Sequence, residues 1–299
     1  MTNLHTDMRT PFWMQWLPDS FHPYIYLARY DRPSAIWILF FPCLWAFALA
    51  GMENVSRETF FLFFCGAILM RGAGCIMNDM ADQNIDRHVE RTRGRPLAKG
   101  SLNKFQALGF LALNLVLALW ILMQFDARTI LIGCLLMPLV ILYPFMKRWT
   151  YWPQLFLGVT FNGGILMAWS AAGQDFSPGV WLLYLAAIVW TLGYDTIYGS
   201  QDLEDDLKLG MKSTAILFHV KQKLFLGACF STMVGLFLAL GLMHSFGWGY
   251  WAGLALLIFA FSAQIFRVQE GDKSTYLKVF KEQKYIGFLV FLMLVLGKI

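Results

Sequence analysis

Nine apolar stretches, each close to the length of a bilayer crossing, dominate this chain of 299 residues. About 20 predominantly apolar residues are needed for a helix to span the hydrocarbon core. Lipid offers the backbone no hydrogen-bond partner, so such stretches fold as helices. We therefore expect an all-α membrane protein with nine transmembrane helices. The predicted segments are 33–52, 58–77, 103–124, 127–146, 152–172, 178–199, 223–244, 247–267 and 284–299.

The amino-acid composition also indicates a protein that is surrounded by lipid. Hydrophobic residues make up 58% of the chain and charged residues 14%, whereas soluble domains carry about 25% charged residues. The five cysteines fall within apolar runs without paired spacing, which argues against a disulfide framework. Residues 1–30 hold Trp, Tyr and Arg but neither an apolar core nor a small-residue cleavage site. They predict an interfacial lead-in to a single domain that covers residues 1–299.

The basic residues predict how the bundle is oriented. Of the 24 Lys and Arg, 20 precede the first segment or follow the second, fourth, sixth and eighth. By the positive-inside rule, the N-terminus and these loops are cytoplasmic and the C-terminus lies on the opposite side. The net charge of +5 is explained by this topology, so no nucleic-acid partner is expected.

A stripe of carboxylates follows the second segment, in the sequence "NDMADQNID". Asp79, Asp82 and Asp86 are spaced i, i+3 and i+7, which places them on one helical face, with Asn78 adjacent. Like charges at this spacing repel, so a bound cation would stabilise the arrangement. Taken alone, this stripe, like the second one described below, could instead be a solvated acidic surface.

A second stripe follows the sixth segment, in "YDTIYGSQDLEDDLKLGMKS". Asp195, Asp202 and Asp206 are spaced i, i+7 and i+11, again on one helical face. Mg²⁺ usually binds one or two carboxylates together with substrate phosphates and water. Lys and Arg follow both stripes and are suited to phosphate oxygens. Together the stripes predict a Mg²⁺-dependent diphosphate site on the cytoplasmic side.

The stripes occupy matching places in a faint repeat, because each follows the second segment of a four-segment half. Repeats of this kind often bring matching helices together at one site. Two ionisable residues, Asp195 and Arg71, lie inside the predicted membrane boundary, where such groups are functional by default. A snorkelling side chain is the alternative for Arg71.

The two acidic motifs resemble the NDxxDxxxD and DxxxD signatures of UbiA-type intramembrane prenyltransferases. The stretches "MRGAGCIMND", "RTRGRPLAKG" and "YPFMKRWTYWPQLFLG" are similar to the 4-hydroxybenzoate polyprenyltransferase branch of that family. The resemblance runs from about "DRPSAIWILFFP" to the last segment. It implies nine helices around a central cavity, as two four-helix halves plus one, in a bacterial inner membrane.

The resemblance also implies a reaction. A polyprenyl chain would pass from polyprenyl diphosphate to the ring carbon ortho to the hydroxyl of 4-hydroxybenzoate, releasing diphosphate, in ubiquinone synthesis. Mg²⁺ would be the cofactor, with no obligate protein partner. The implied metal ligands are Asp82, Asp86, Asp202 and Asp206. The implied catalytic residues are Asp195 and Asp79, and the implied substrate-binding residues are Arg32, Arg71, Asn78, Lys147, Arg148, Tyr194 and Lys212.

Two other functions remain open at this point. A family member could prenylate another acceptor, such as a naphthoate, a homogentisate or a haem. A divalent-cation or organic-anion transporter would also carry acids in its spans, but it predicts them near mid-span with access from both sides. The clustering of the acids at one side favours an enzyme.

Overall fold

The computed structural model describes residues 8, 10–269 and 271–298, so that residues 1–7 and Arg9 of the predicted lead-in lie outside it. All regular elements of this described part are helical. The α-helices are α1 His22–Leu27, α2 Ser34–Ala50, α3 Arg57–Asp86, α4 Pro96–Lys99, α5 Lys104–Leu122, α6 Ala127–Leu142, α7 Met146–Trp149, α8 Pro153–Phe161, α9 Gly164–Ala171, α10 Pro178–Gly199, α11 Leu203–Lys208, α12 Thr214–Leu217, α13 Gln222–Met243, α14 Trp248–Arg267 and α15 Lys273–Leu296. The 3₁₀ helices are Phe12–Trp16, Asp19–Phe21, Met52–Asn54, Tyr143–Phe145, Ser200–Asp202 and His219–Lys221.

The all-α membrane architecture is confirmed. Across the described ranges, six helical stretches are long and apolar enough to cross a bilayer, and α2 is a shorter apolar helix. Each of the nine predicted segments coincides with helix, although the fifth is broken and the ninth begins earlier than predicted. The count of nine transmembrane helices therefore stays a prediction.

Capping side chains fix where several long helices begin. Ser56 accepts a hydrogen bond from the backbone N–H of Thr59, 3.0 Å away, at the start of α3. Asn103 and Gln106 form a reciprocal capping box at the start of α5, and Asp126 caps α6. These side chains satisfy N–H groups that the first helical turn leaves unpaired.

The fifth predicted segment is interrupted between α8 and α9. The side-chain amide of Asn162 donates to the carbonyl oxygens of Gly158 (2.8 Å) and Ala187 (3.1 Å) and to the hydroxyl of Thr191. Gly158 lies so near α10 that a Cβ there would come 2.8 Å from the carbonyl oxygen of Ile188. The break thus coincides with close packing of α8 on α10, which a small residue permits.

Helix α10 is the centre of the bundle and packs against α2, α8, α9, α13 and α15. Trp190 donates to Gln283 (2.8 Å), whose amide donates to Gln264 (2.9 Å), so buried polar bonds link α10, α15 and α14. Trp45 of α2 donates to the carbonyl of Gly287 in α15 (2.8 Å). Helix α15 therefore packs against α2, the first apolar helix, and α2, α3, α10 and α15 all contribute residues to the lining of the central cavity.

Candidate active site

A cavity of about 650 Å³ extends along helix α3, and carboxylates from both acidic stripes line one end of it. Its lining on α3 runs from Leu62 to Asp86, or about 36 Å at 1.5 Å per residue, comparable with the thickness of the hydrocarbon core. Away from the acids the wall is apolar. Its members there include Leu39, Phe63, Gly66, Leu119, Leu122, Phe125, Leu136, Met137, Val140 and Met167.

The first stripe is buried beside the mouth of this cavity, which Asp82 and Asp86 line but Asp79 does not. Asp79, Asp82 and Asp86 are 1%, 1% and 5% exposed, so each carboxylate needs a charged or hydrogen-bonding partner. Lys147 forms an ion pair with Asp82. Arg95 donates to Asp79 (3.0 Å) and to Asp86 (2.9 Å). The helical face predicted from spacing is thus confirmed, and cations from elsewhere in the chain cover it.

Arg29 provides a second cation for Asp79, with Nη2 2.7 Å from Oδ1. Burial by itself would lower the pKa of the Arg29 guanidinium, but Asp79, together with smaller contributions from Cys75 and Tyr198, raises that pKa above its ordinary value. The backbone of Arg29 is left-handed, with φ of 57°, a conformation that is uncommon for residues other than glycine. The left-handed backbone and the ion pair with Asp79 together hold the positively charged guanidinium of Arg29 at the cavity wall.

The second stripe faces the first across the mouth. Helix α10 ends at Gly199, and Asp202 and Asp206 follow in a 3₁₀ turn and in α11. Both carboxylates and Asp195 line the large cavity. Arg91 binds Asp202 through two donors, with Nε 2.8 Å from Oδ1, and also donates to the hydroxyl of Tyr198 at 3.0 Å.

Two polar groups lie deeper in the cavity. Arg71, on α3, has a buried Nε without a hydrogen-bond partner, and its guanidinium lies 6.0 Å from the centre of the Phe161 ring. The hydroxyl of Tyr194 is also buried and unpartnered. Arg71, Tyr194 and Asp195 all line the cavity. A ligand group there could accept from Arg71 and from Tyr194 without displacing an existing bond.

Three of the predicted substrate-binding cations, Arg32, Arg148 and Lys212, do not line the large cavity. Arg32 donates to the adjacent Asp31 at 3.2 Å and does not line the large cavity. Arg148 donates to the carbonyl of Ala81 at 2.7 Å and lies 3.7 Å from an oxygen of Asp82. Lys212 borders a smaller adjoining cavity. Asn78 and Lys147, by contrast, line both cavities.

The comparisons with known proteins agree with this geometry. The family model described as the UbiA prenyltransferase family matches residues 39–293, which include both acidic stripes. The chain belongs to this family. Among curated UbiA relatives, it is 42% identical over 286 residues to "4-hydroxybenzoate polyprenyltransferase, mitochondrial" of Arabidopsis thaliana, covering 95% of this chain and 70% of that protein. The identically named protein of Rattus norvegicus is 41% identical, with 94% and 76% covered.

Solved UbiA structures share the fold. An apo UbiA homologue from Aeropyrum pernix K1 superposes with a TM-score of 0.73 at 22% identity, covering 85% of this chain and 94% of that one. A homologue from Archaeoglobus fulgidus, solved bound to DMAPP and Mg²⁺, gives a TM-score of 0.68 at 16% identity, with 90% and 99% covered. At these identities the likeness establishes the fold alone.

Proposed function

We propose that this protein transfers a polyprenyl chain from polyprenyl diphosphate to the ring carbon ortho to the hydroxyl of 4-hydroxybenzoate, releasing diphosphate. The names of the curated relatives support the acceptor and the reaction. The observation that carries the proposal is the polarity of one continuous cavity. Its mouth holds paired acids and cations for a diphosphate, and its long apolar part suits a polyprenyl tail.

The carboxylates at the mouth fit a divalent metal that arrives with a diphosphate. Oδ1 of Asp82 is buried and accepts no hydrogen bond, and a set made only of oxygen donors suits Mg²⁺. In the described part of the chain, no three Asp, Glu, His or Cys side chains group closely enough to enclose a metal ion. Substrate phosphate oxygens would therefore complete the shell. Solved structures of a UbiA homologue from Archaeoglobus fulgidus, bound to DMAPP or GPP with Mg²⁺, support this assignment.

Four residues would hold the metal, in two pairs: Asp82 with Asp86, and Asp202 with Asp206. Bound there, Mg²⁺ would neutralise charge on the diphosphate. In the structure, three of these carboxylates are already bound by cations: Asp82 by Lys147, Asp86 by Arg95 and Asp202 by Arg91. The same cations are thus close enough to be shared between carboxylates and a diphosphate.

The chain's residues account for the first chemical step. The allylic C–O bond breaks and its electron pair leaves with the diphosphate, where Lys147, Arg91 and Arg95 stabilise the developing negative charge. The allylic cation left behind is shielded from water by the apolar cavity wall. The faces of Phe161 and Tyr198, which already lie near guanidinium groups, are suited to stabilise it.

The second step joins the ring to the prenyl carbon. The ortho carbon of the phenol attacks the allylic cation, a C–C bond forms, and the ring proton passes to a base. Asp195 and the released diphosphate are the two candidates for that base. Arg71 holds the acceptor carboxylate, because a guanidinium binds a carboxylate bidentately, and Tyr194 supplies a further donor. Asp79, bonded to Arg29 and Arg95, supports the cations of the mouth.

The remaining assignments follow from the same proposal. Polyprenyl diphosphate enters from membrane lipid, and the acceptor enters from the side on which the acids lie. The acidic stripes and N-terminus face the cytoplasm of a bacterial inner membrane, and no obligate protein partner is required. The curated relatives above are named mitochondrial, so fractionation of source cells and reporter fusions to both termini test the location and orientation.

The function is tested with membranes that contain the protein. They are incubated with Mg²⁺, labelled 4-hydroxybenzoate and a polyprenyl diphosphate, and the lipid extract is examined for label. We expect a prenylated hydroxybenzoate. Labelled homogentisate or naphthoate serves as a parallel acceptor, and transfer to one of these without transfer to 4-hydroxybenzoate would contradict the proposed acceptor.

A further inference from the structure

A second, smaller cavity of about 100 Å³ adjoins the reaction centre. It shares six lining residues with the large cavity and adds six of its own. The shared residues are Asn78, Tyr143, Lys147, Asp195, Gly199 and Asp206. Its own residues lie on the turn that joins α11 to α12, near the start of α8 and, for Pro144, in the 3₁₀ helix before α7. The two spaces therefore adjoin along these six residues, which include Asp195 and Asp206.

The turn between α11 and α12 covers this second cavity. Gly210 has a φ of +66°, which lets the chain reverse there without the strain that a side chain would bring. The backbone N–H of Lys212 then donates to the carbonyl of Lys147 at 2.9 Å. Met211 and Lys212 are partly exposed and also border the cavity. They stand between the cavity and the water on the side of the acidic stripes.

Lys212 gives this entrance an unneutralised positive charge. Its Nζ lies 3.4 Å from the carbonyl of Trp149 and 5.7 Å from the Tyr151 ring. Among the residues that the structure describes, no carboxylate forms an ion pair with it. Lys147 differs, because it is paired with Asp82. The carboxylates of Asp195 and Asp206 border the cavity on the side it shares with the reaction centre.

The size and polarity of this cavity select a small ligand. A dry cavity of about 150 Å³ holds benzene. The second cavity, at about 100 Å³, is smaller, so a single benzoate would fill it and its ring would extend into the part shared with the large cavity. A polyprenyl tail would find no apolar continuation there. We propose that the second cavity is the water-side port for the aromatic carboxylate acceptor, and that Lys212 draws the anion in. This inference rests on the proposed function and separates the route of the acceptor from that of the lipid donor.

The port assigns different tasks to two cations. Lys212 acts on entry, because an exposed charge at the rim of a site changes association and its salt dependence more than final affinity. Arg71, which lines only the large cavity, holds the carboxylate once the ring is seated. Removing Lys212 should therefore reduce kcat/KM for the acceptor while kcat at saturating acceptor stays the same.

The test compares Lys212→Glu with Lys221→Glu in the full-length protein in membranes. Lys221 is an exposed residue after α12 that borders neither cavity, and the change in charge is identical. At low salt, we expect Lys212→Glu to lower kcat/KM for 4-hydroxybenzoate on the order of tenfold. The deficit should shrink at high salt, with kcat/KM for the polyprenyl diphosphate unchanged. Equal effects of the two variants, or a larger effect on the diphosphate, would overturn the port.

A blocking variant and a binding measurement keep the two proposals distinguishable. Met211→Trp should obstruct the port and lower kcat/KM for the acceptor alone. Saturation-transfer NMR of 4-hydroxybenzoate with purified wild type and Lys212→Glu reports acceptor binding without catalysis. If wild type binds 4-hydroxybenzoate without prenylating it and Lys212→Glu weakens that binding, the proposed reaction fails and the port stands. If prenylation occurs and neither variant alters acceptor kinetics or binding, the port fails and the reaction stands.

Discussion

Arg91 and Asp202 join the two acidic stripes, since Arg91 donates to both carboxylate oxygens of Asp202 from the loop that follows α3. Nε of Arg91 lies 2.8 Å from Oδ1, and both side chains are 17% exposed. A pair this well shielded is screened less by salt than an exposed one. The loop after the first stripe is therefore held against the second stripe.

Arg91→Lys tests the importance of this bidentate geometry. Lysine keeps the charge but cannot reproduce the fork of a guanidinium, so one charged hydrogen bond is lost. We expect kcat/KM for the polyprenyl diphosphate to fall roughly tenfold. Arg93→Lys, at an exposed position on the same loop, is the matched control. Indistinguishable kinetics of the two variants would show that bidentate binding is unimportant.

One carboxylate from each acidic stripe should be essential for prenyl transfer. Asp82→Ala and Asp202→Ala should each lower kcat by at least about 100-fold, as expected for loss of one electrostatic stabiliser. Glu90→Ala removes an exposed carboxylate that lies beyond the C-terminal end of α3 and outside the acidic motif, and it should change little. The rates are measured with saturating substrates in membranes. Similar losses in all three variants would contradict the assignment by helical face.

Removal of divalent metal should abolish prenyl transfer. Without it, the carboxylates at the mouth repel the diphosphate, and Lys147, Arg91 and Arg95 already bind three of them. Product formation is measured after treatment with EDTA and after addition of excess Mg²⁺, which should restore it. Full activity in metal-free buffer would exclude the metal assignment.

Arg71→Lys should separate the two substrates. A carboxylate in an apolar cavity needs a cation, and lysine loses the planar, bidentate fit of arginine. The apparent KM for 4-hydroxybenzoate should rise more than that for the polyprenyl diphosphate. If the diphosphate KM rises more, Arg71 belongs to the donor, and Arg148 becomes the candidate for the acceptor carboxylate.

Gly66→Phe should shorten the donor that the enzyme accepts. Gly66 lines the apolar part of the cavity, sixteen positions before Asp82 on α3, or about 24 Å along the helix. A Cβ there meets only Ile121, at 3.9 Å, so a larger side chain would fill cavity space. Long polyprenyl diphosphates should lose kcat/KM, while geranyl diphosphate keeps it. Equal losses for both donors would place Gly66 outside the path of the tail.

The sequence was sufficient for features that depend on neighbours along the chain. Helical spacing places Asp79, Asp82 and Asp86 on one face, and the structure confirms that face. The second stripe also converges on the cavity, although its helix is interrupted after Gly199. Hydrophobic length was enough to locate every long helix because lipid enforces backbone hydrogen bonding within each segment.

Features that depend on distant contacts were missed. Asn162 interrupts the fifth segment by bonding to α10, and no local pattern announces that contact. Arg29 binds Asp79 across fifty positions, whereas the family resemblance implied Arg32 as the substrate-binding cation of this region. Arg91 and Arg95 were visible as cations after the first stripe, but the carboxylates they bind depend on how the loop folds back. Asp272 caps α15 ahead of the apolar run, so the ninth helix starts earlier than hydropathy predicts.

The contact between α15 and the rest of the bundle has a consequence for biogenesis. Phe280 of α15 lines the large cavity and lies 4.3 Å from the ring of Tyr198, the partner of Arg91. Since α15 is synthesised after α10, the part of the wall that Phe280 forms is missing while α10 leaves the ribosome. The cavity wall beside Tyr198 is complete only once α15 has docked against α10.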